Sequence, residues 1–311
     1  MTKKNMTIGI AGAGLIGIGW AASFAASGHT IRIWDIKHNI EHELRPILHK
    51  ILESIWGICP NKNPVEIIFC NAAEEMVDGC DLIFESVAEE KNIKINVLAK
   101  LDHLVDPKVI ICSSTSSMLL SEISARCSIK ERVIIAHPFN PPYLIPLVEL
   151  FGSNITILHK VSHLLKSIGK TPVILKKEMT GHIANRLTSA VFKEILFLIE
   201  QEVASIEDID TCITEGPGLR WALVGPLLGY HLSGGSGGID SYMSHLGPSQ
   251  IERWKSLGTP NMSDDFIKMI INNVKVSTKN KSMDNLISWR DQFLQDIVKL
   301  KEKAKDSYKW I

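Results

Sequence analysis

The chain has 311 residues, 45% of them hydrophobic and 22% charged, which allows one large or two ordinary domains and excludes disordered, collagenous and low-complexity classes. Lys plus Arg and Asp plus Glu are 34 each, so there is no net field to attract nucleic acid or an anionic membrane surface. Six cysteines (Cys59, Cys70, Cys80, Cys112, Cys127, Cys212) form no Cys-x-x-Cys pair; they argue against a metal cluster or a disulfide framework and read as reduced, buried thiols of a cytoplasmic protein.

The first element is a weakly apolar run from Ile8 to Gly28 behind Lys3 and Lys4. Its glycines at 9, 12, 14, 17, 19 and 28 deprive it of the bulky side chains that favour bilayer insertion, so it is read as part of the fold and not as a leader or anchor. From residue 6 to about 175, seven short Ile- and Val-rich runs alternate with longer mixed segments: MTIGIAG, HTIRIWD, VEIIFC, CDLIFESVA, KVIICSST, RVIIAH and TPVILKK. Runs of that length separated by helix-length stretches are the pattern of buried parallel strands with crossover helices. An α/β, Rossmann-type doubly wound sheet is therefore expected over residues 1–180. From His182 to Val203 the apolar residues fall at 183, 187, 191, 195, 199 and 203, which is helical spacing. A glycine-rich turn, GGSGG at 234–238, follows, and then an amphipathic helix carrying Leu286, Trp289, Phe293, Ile297 and Leu300. No strand pattern returns, so residues 181–311 read as an all-helical second domain.

The first strand runs directly into Gly12-Ala13-Gly14-Leu15-Ile16-Gly17, and a helical stretch follows. In this strand-turn-helix context the first glycine permits the tight turn, the second lets a pyrophosphate approach the backbone, and the third lets helix pack on strand. The helix N-terminus offers its free N–H groups to the phosphates. The second strand ends at Asp35, 23 positions after Gly12, where a carboxylate can bond both ribose hydroxyls and repel a 2′-phosphate. The expected cofactor is NAD rather than NADP.

A later strand, Arg132 to Ala136, delivers His137-Pro138-Phe139-Asn140-Pro141-Pro142-Tyr143, with Glu149 following in IPLVEL. Strand C-terminal ends are where open α/β sheets meet their ligands, and the flanking prolines suit a loop that holds one imidazole orientation. Taken alone, His137 reads as readily as a packing residue, Ser116 as a turn serine and Asn140 as a loop amide bonding its own backbone.

Together, the glycine fingerprint, the run Cys112-Ser113-Ser114-Thr115-Ser116-Ser117, the His137-Pro-Phe-Asn140-Pro segment and Glu149 resemble the 3-hydroxyacyl-CoA dehydrogenase family over essentially the whole chain. The resemblance implies an NAD-dependent dehydrogenase with a catalytic set of His137, Glu149, Ser116 and Asn185, the last in GHIANRL. It implies cofactor contacts from Gly12, Gly14, Leu15, Ile16, Gly17, Asp35, Ser116 and Asn140, and from Glu89 and Lys94 in ESVAEEKNIK. In the chemistry so implied, an imidazole, with an ordinary pKa of about 6.5, accepts the alcohol proton while the carbinol carbon gives hydride to the nicotinamide. Glu149 would fix the ring tautomer, as the carboxylate does in a hydrolase triad, and Ser116 and Asn185 would hold the reacting oxygen. A homodimer formed through the helical domain is expected by the same resemblance.

Within the family, members acting on acyl-CoA thioesters resemble one another in a long basic helical arm between the second and third strands. Here only Ile36 to Pro64 is available, with acidic residues among its basic ones. The segment from Gly216 to Pro248, with SSTSS and HPFNPPYLIPLVE, instead looks like the L-carnitine 3-dehydrogenase group, related to the L-gulonate 3-dehydrogenase and lambda-crystallin branch. A pocket for a trimethylammonium carboxylate wants aromatic faces and one guanidinium. Tyr143, Trp221 and Tyr230 are the candidates for the first task and Arg220 for the second, although each could equally serve packing or an ion pair. The competing readings are 3-hydroxybutyryl-CoA or L-gulonate oxidation by the same chemistry, an NAD-binding sensor, which would need no poised His and Glu, and a structural relative without turnover.

Overall fold

The computed structural model describes residues 5–55, 65–279 and 281–307, with side chains through 304. Cys59 and the end of the expected arm lie outside these residues. The chain falls into two compact units, Met1–Arg186 with Asp291–Val298, and Leu187–Arg290 with Lys299–Ile311.

In the first unit the seven apolar runs all become strands: β1 (Thr7–Ala11), β2 (Thr30–Trp34), β3 (Ile67–Cys70), β4 (Leu82–Glu85), β5 (Ile110–Ser113), β6 (Val133–Pro138) and, last of the seven, β8 (Thr171–Ile174). An eighth strand, β7 (Leu147–Phe151), follows the proline-flanked loop and is not among the seven expected. The sheet order is β3-β2-β1-β4-β5-β6-β7-β8, parallel throughout except for the β6–β7 pair. Crossovers are α1 (Leu15–Ala25), α2 (Glu41–Ile55), α3 (Ala73–Val77), α4 (Lys91–Leu104), the short α5 (Leu120–Ile123) and α6 (Ile155–Ser167).

Alternate strand residues feed two separate cores, as the two-residue side-chain period requires. Ile8, Ile10, Leu82, Phe84, Cys112 and Ile134 pack on the face covered by α1, α2 and α6. Ile83, Ile111, Val133 and Ile135 pack on the other face with Met76, Leu98, Leu101 and Ile123. Both faces are covered, which is why these strands read as continuous apolar runs. Four cysteines, Cys70, Cys80, Cys112 and Cys127, are buried free thiols, with burial pushing Cys80 up to about 12; Cys212, in contrast, is exposed.

From residue 184 on, the described residues contain helices and no strand: α7 (Ala184–Glu200), α8 (Ile206–Thr214), α9 (Pro217–Trp221), α10 (Pro226–Ser233), α11 (Gly238–His245), α12 (Gly247–Ser256), α13 (Asp264–Ser277) and α14 (Met283–Ser307). The GGSGG stretch is a turn, as expected, with a 3-10 segment over Gly235–Gly237 that runs into α11. His182 lies outside α7 because its φ is +49°, a left-handed conformation that no α-helix contains. Within the second unit, Leu196, Ile209 and Tyr242 are the buried hydrophobic residues among those described, while Leu187, Phe192, Leu227, Trp254 and Trp289 are exposed. No helix among the described residues is long and apolar enough to cross a membrane.

Candidate active site

β1 ends at Ala11 and the chain turns through Gly12 at φ +96°, a conformation an L side chain rarely adopts. A Cβ on Gly12 would also lie 2.6 Å from the Ser86 backbone, and one on Gly17 would meet the Gly12 carbonyl at 1.9 Å. At Gly14 the space within 4 Å is open. The turn is thus closed where strand and helix touch and clear where a pyrophosphate must approach, directly over the free N–H groups of Leu15, Ile16 and Gly17 that open α1. Asp35 sits just past β2 beside this turn, one carboxylate oxygen accepting from Ala13 N (2.8 Å) and the other from Lys37 N (2.9 Å). These residues fit a dinucleotide by the chemistry of their donors, and the crevice between β1 and β4, where the strand order reverses, is where such a ligand binds in this sheet type.

The second half of the site is built by β5, β6 and β7. Because β6 and β7 run antiparallel, their register sets His137 opposite Glu149. A separation of twelve residues in sequence thereby becomes a direct contact, His137 Nδ1 to Glu149 Oε2 at 2.9 Å, with both side chains buried. His137 lies within the strand, which extends through Pro138, rather than after it.

The other Glu149 oxygen accepts from Ile183 N (2.7 Å) and Ala184 N (3.1 Å), the backbone leading into α7. Burial by itself would raise the Glu149 carboxyl, but the bonds from His137, Ile183 and Ala184 outweigh it and hold the group below the usual carboxylate range. An ionised Glu149 only accepts, so Nδ1 of His137 carries a proton, and in the neutral ring the lone pair is then on Nε2.

The serine run after β5 is gripped from two sides. Glu89 Oε1 accepts from Thr115 Oγ1 (2.7 Å), Ser116 N (2.8 Å) and Ser116 Oγ (3.0 Å), among others. Against the cost of burial, the Thr115 hydroxyl, the Lys94 ammonium and Ser116 keep the Glu89 carboxyl below its ordinary range. From the other side Asn185 Nδ2 donates to Ser116 O (3.0 Å). Lys94 is buried, holds Glu85 Oε1 (2.8 Å), Val87 O (3.3 Å) and Glu89 Oε2 (3.3 Å), anchors the serine run through Glu89, and lies in the wall of the adjoining cavity.

A cavity of about 390 Å³ joins these parts, lined by Ile16, Glu89, Ser116, His137, Asn140 and Asn185 among others. A larger groove of about 830 Å³ lies at the opposite, amino-terminal ends of β4 and β5 and contains none of these groups. Tyr143 is not among the residues lining this cavity; its hydroxyl donates to Asp291 Oδ2 (2.6 Å) and its ring packs against the sheet core. Trp221 and Arg220 are exposed residues of α9, and Tyr230, on α10, stacks on Tyr242 with centroids 4.7 Å apart.

Two further residues contribute to the site without a strong signal in the sequence. Glu85, fully buried at the end of β4, accepts from Lys94 and from Ser113 Oγ (2.5 Å); an acid closing an apolar run was its only local signal. His182, whose ring is buried 5.0 Å from the His137 ring, had none beyond its place in GHIANRL.

Residues 7–179 match the model of the 3-hydroxyacyl-CoA dehydrogenase NAD-binding domain, and residues 181–261 match that of the 3-hydroxyacyl-CoA dehydrogenase C-terminal domain. The chain is 35% identical over 309 residues to an L-carnitine dehydrogenase of Bacillus cereus, covering 96% of this chain and 93% of the relative. It is 33% identical over 297 residues to an L-carnitine dehydrogenase of Streptomyces coelicolor, with 93% and 92% covered. Among solved structures it superposes on a 5-formyl-3-hydroxy-2-methylpyridine 4-carboxylic acid 5-dehydrogenase, described as an NAD+-dependent dismutase, with a TM-score of 0.81 at 26% identity, covering 96% of this chain and 98% of that one. A glycine turn shaped for a dinucleotide, both domain matches and these full-length likenesses agree: the chain belongs to the 3-hydroxyacyl-CoA dehydrogenase family and is an NAD-dependent oxidoreductase.

Proposed function

We propose that this protein oxidises the 3-hydroxyl of a small L-3-hydroxy acid, L-carnitine foremost, with His137 as the base. The observation that carries the chemistry is the His137–Glu149 pair, whose imidazole lines the same cavity as Ile16 of the glycine turn. The choice of carnitine is supported by the full-length likeness to L-carnitine dehydrogenases.

Gly12, Gly14, Leu15, Ile16, Gly17, Asp35, Ser116 and Asn140 would hold NAD, which would supply the hydride acceptor. His137 Nε2 takes the hydroxyl proton as the C–H bond breaks and the C=O bond forms, and Glu149 stabilises the imidazolium that results. The electron pair of the C–H bond leaves with the hydride; the O–H pair becomes the carbonyl π bond. Asn185 and Ser116 hold the reacting oxygen. To do so the Ser116 hydroxyl turns from Glu89, which keeps its bonds from Thr115 Oγ1 and Ser116 N. Glu89 and Lys94 keep the serine run in place, where it would meet the cofactor. On the helical unit, Arg220 is assigned to the substrate carboxylate, and Trp221 with Tyr230 to the trimethylammonium group, which aromatic faces attract by about 0.5 to 2 kcal/mol each.

NADH formation by the purified protein, with L-carnitine, L-3-hydroxybutyryl-CoA and L-gulonate compared in parallel, tests the assignment. Turnover confined to carnitine is the expected result. Turnover with the thioester alone overturns the substrate and leaves the His–Glu chemistry standing.

Residues 181–311 are assigned as the substrate-binding and dimerisation domain. A unit whose described residues bury so few apolar side chains and expose Leu187, Leu227, Trp254 and Trp289 needs a further apolar surface to cover it. Light scattering should give a dimer at micromolar concentration, and a monomer would refute the assignment.

A further inference from the structure

We propose that His182 is a positioning residue that locks the serine run to the His137–Glu149 pair; the proposal deepens the assignment of His137 as the base and rests on it. The ring is 2% exposed, and its Nε2 lies 3.1 Å from the Thr115 carbonyl. A carbonyl only accepts, so Nε2 carries a proton and His182 is the donor. Thr115 is itself fully buried, and the residue after it is Ser116. The His182 ring lies 5.0 Å from the His137 ring, centroid to centroid, at a 45° tilt.

The backbone points to the same role. Gly181 N donates to Ser117 O (3.2 Å), the two amides after His182 hold Glu149 Oε1, and Asn185 reaches Ser116 O. Five consecutive residues thus connect the serine run after β5 to the carboxylate on β7, and His182 is the pivot. Its φ of +49° costs energy in any residue with a Cβ, and is kept only where the surroundings over-determine it. A ring serving only to fill space would need no donor at its tip. Burial foremost, with the neighbouring His137, lowers the tendency of this ring to take a proton, outweighing the Thr115 bond and the Glu149 and Glu89 carboxylates that act the other way. His182 therefore stays uncharged beside His137 when the latter becomes an imidazolium.

The test compares His182→Phe, His182→Gln and His137→Gln for kcat, for KM with the substrate the wild type turns over best, and for NAD affinity by calorimetry. Phe retains an aromatic ring without the donor, and Gln returns an N–H at about the reach of Nε2. The expected result is a loss of about 10- to 100-fold in kcat for His182→Phe, the scale of an ångström of misplacement. KM and NAD affinity should stay within about threefold of wild type, and His182→Gln should recover most of kcat. Wild-type kcat in the Phe variant, or an equal loss in both variants, overturns the proposal. Should the Phe variant fail to fold, long-range 1H–15N spectra of the wild type decide: a neutral Nε2–H tautomer for His182 between pH 6 and 8 supports the bond, and an Nδ1–H tautomer refutes it. Full turnover by His137→Gln would remove the base assignment, an outcome separate from either result at His182.

Discussion

Replacing Glu149 with Gln isolates what the carboxylate does for His137. One of its oxygens faces two N–H donors, Ile183 and Ala184, and the other faces His137 Nδ1. A Gln amide cannot turn its NH2 toward two backbone N–H groups, so its oxygen takes their place and its NH2 points at His137. The imidazole must then accept at Nδ1 and carry its proton on Nε2, which removes the lone pair the reaction needs. Loss of the correct tautomer costs about 10⁴-fold in kcat where a hydrolase triad is altered in this way, equivalent to about 5.5 kcal/mol at about 1.36 kcal/mol per tenfold. The fold keeps its two backbone bonds and loses one charge-assisted contact of about 1.5 to 3 kcal/mol, so in a chain of this length Tm should fall by only about 2 to 5 °C. Steady-state NADH formation beside thermal melting reads both numbers. A variant with kcat within about threefold of wild type refutes the tautomer argument, and one that melts far lower would make Glu149 a structural residue first.

Two glycines of the dinucleotide turn should separate folding from binding. Gly12→Ala places a methyl 2.6 Å from the Ser86 backbone at a positive φ and should destabilise the protein by more than about 1 kcal/mol. Gly14→Ala meets nothing within 4 Å, so its Tm should equal that of wild type while NAD binding weakens at least about tenfold; unchanged affinity would deny that the open space belongs to the pyrophosphate. Stability should fall as pH falls. His29 and His182 are both held below the ordinary imidazole value, in each case by burial first, so below about pH 6.5 the unfolded chain takes up protons that the folded one refuses. Glu89 and Glu149, held low by their hydrogen bonds, extend the loss below about pH 4.5. His29 Nδ1 accepts from Met6 N at 3.2 Å, a bond that protonation abolishes and an Asn side chain can keep. His29→Asn should therefore flatten the fall in Tm between pH 7 and 5, and a wild-type Tm that rises on acidification contradicts the sign.

The sequence by itself determined what is local or periodic. Seven strands, buried on both faces, stand out as short Ile- and Val-rich runs because no polar face interrupts them. The glycine turn declares itself because its strand, turn and helix are contiguous, and Asp35 follows one element later. Only the tertiary structure decided β7. Pro141, Pro142 and Pro146 interrupt the chain before it, and Leu147–Phe151 alone carries too weak a pattern to be told from a loop. With β7 came the antiparallel register that sets Glu149 against His137, a pairing governed by which edge of the sheet the strand joins. The turn at His182 belongs to the same class: its ring donates across 67 residues to Thr115, and no spacing in a single chain encodes that distance. The bond from the Tyr143 hydroxyl to Asp291, 148 residues away, is of the same kind. Local propensity writes elements into a sequence, whereas the contacts that make a site depend on long-range packing, which brings together residues that individually look like turns, caps and core.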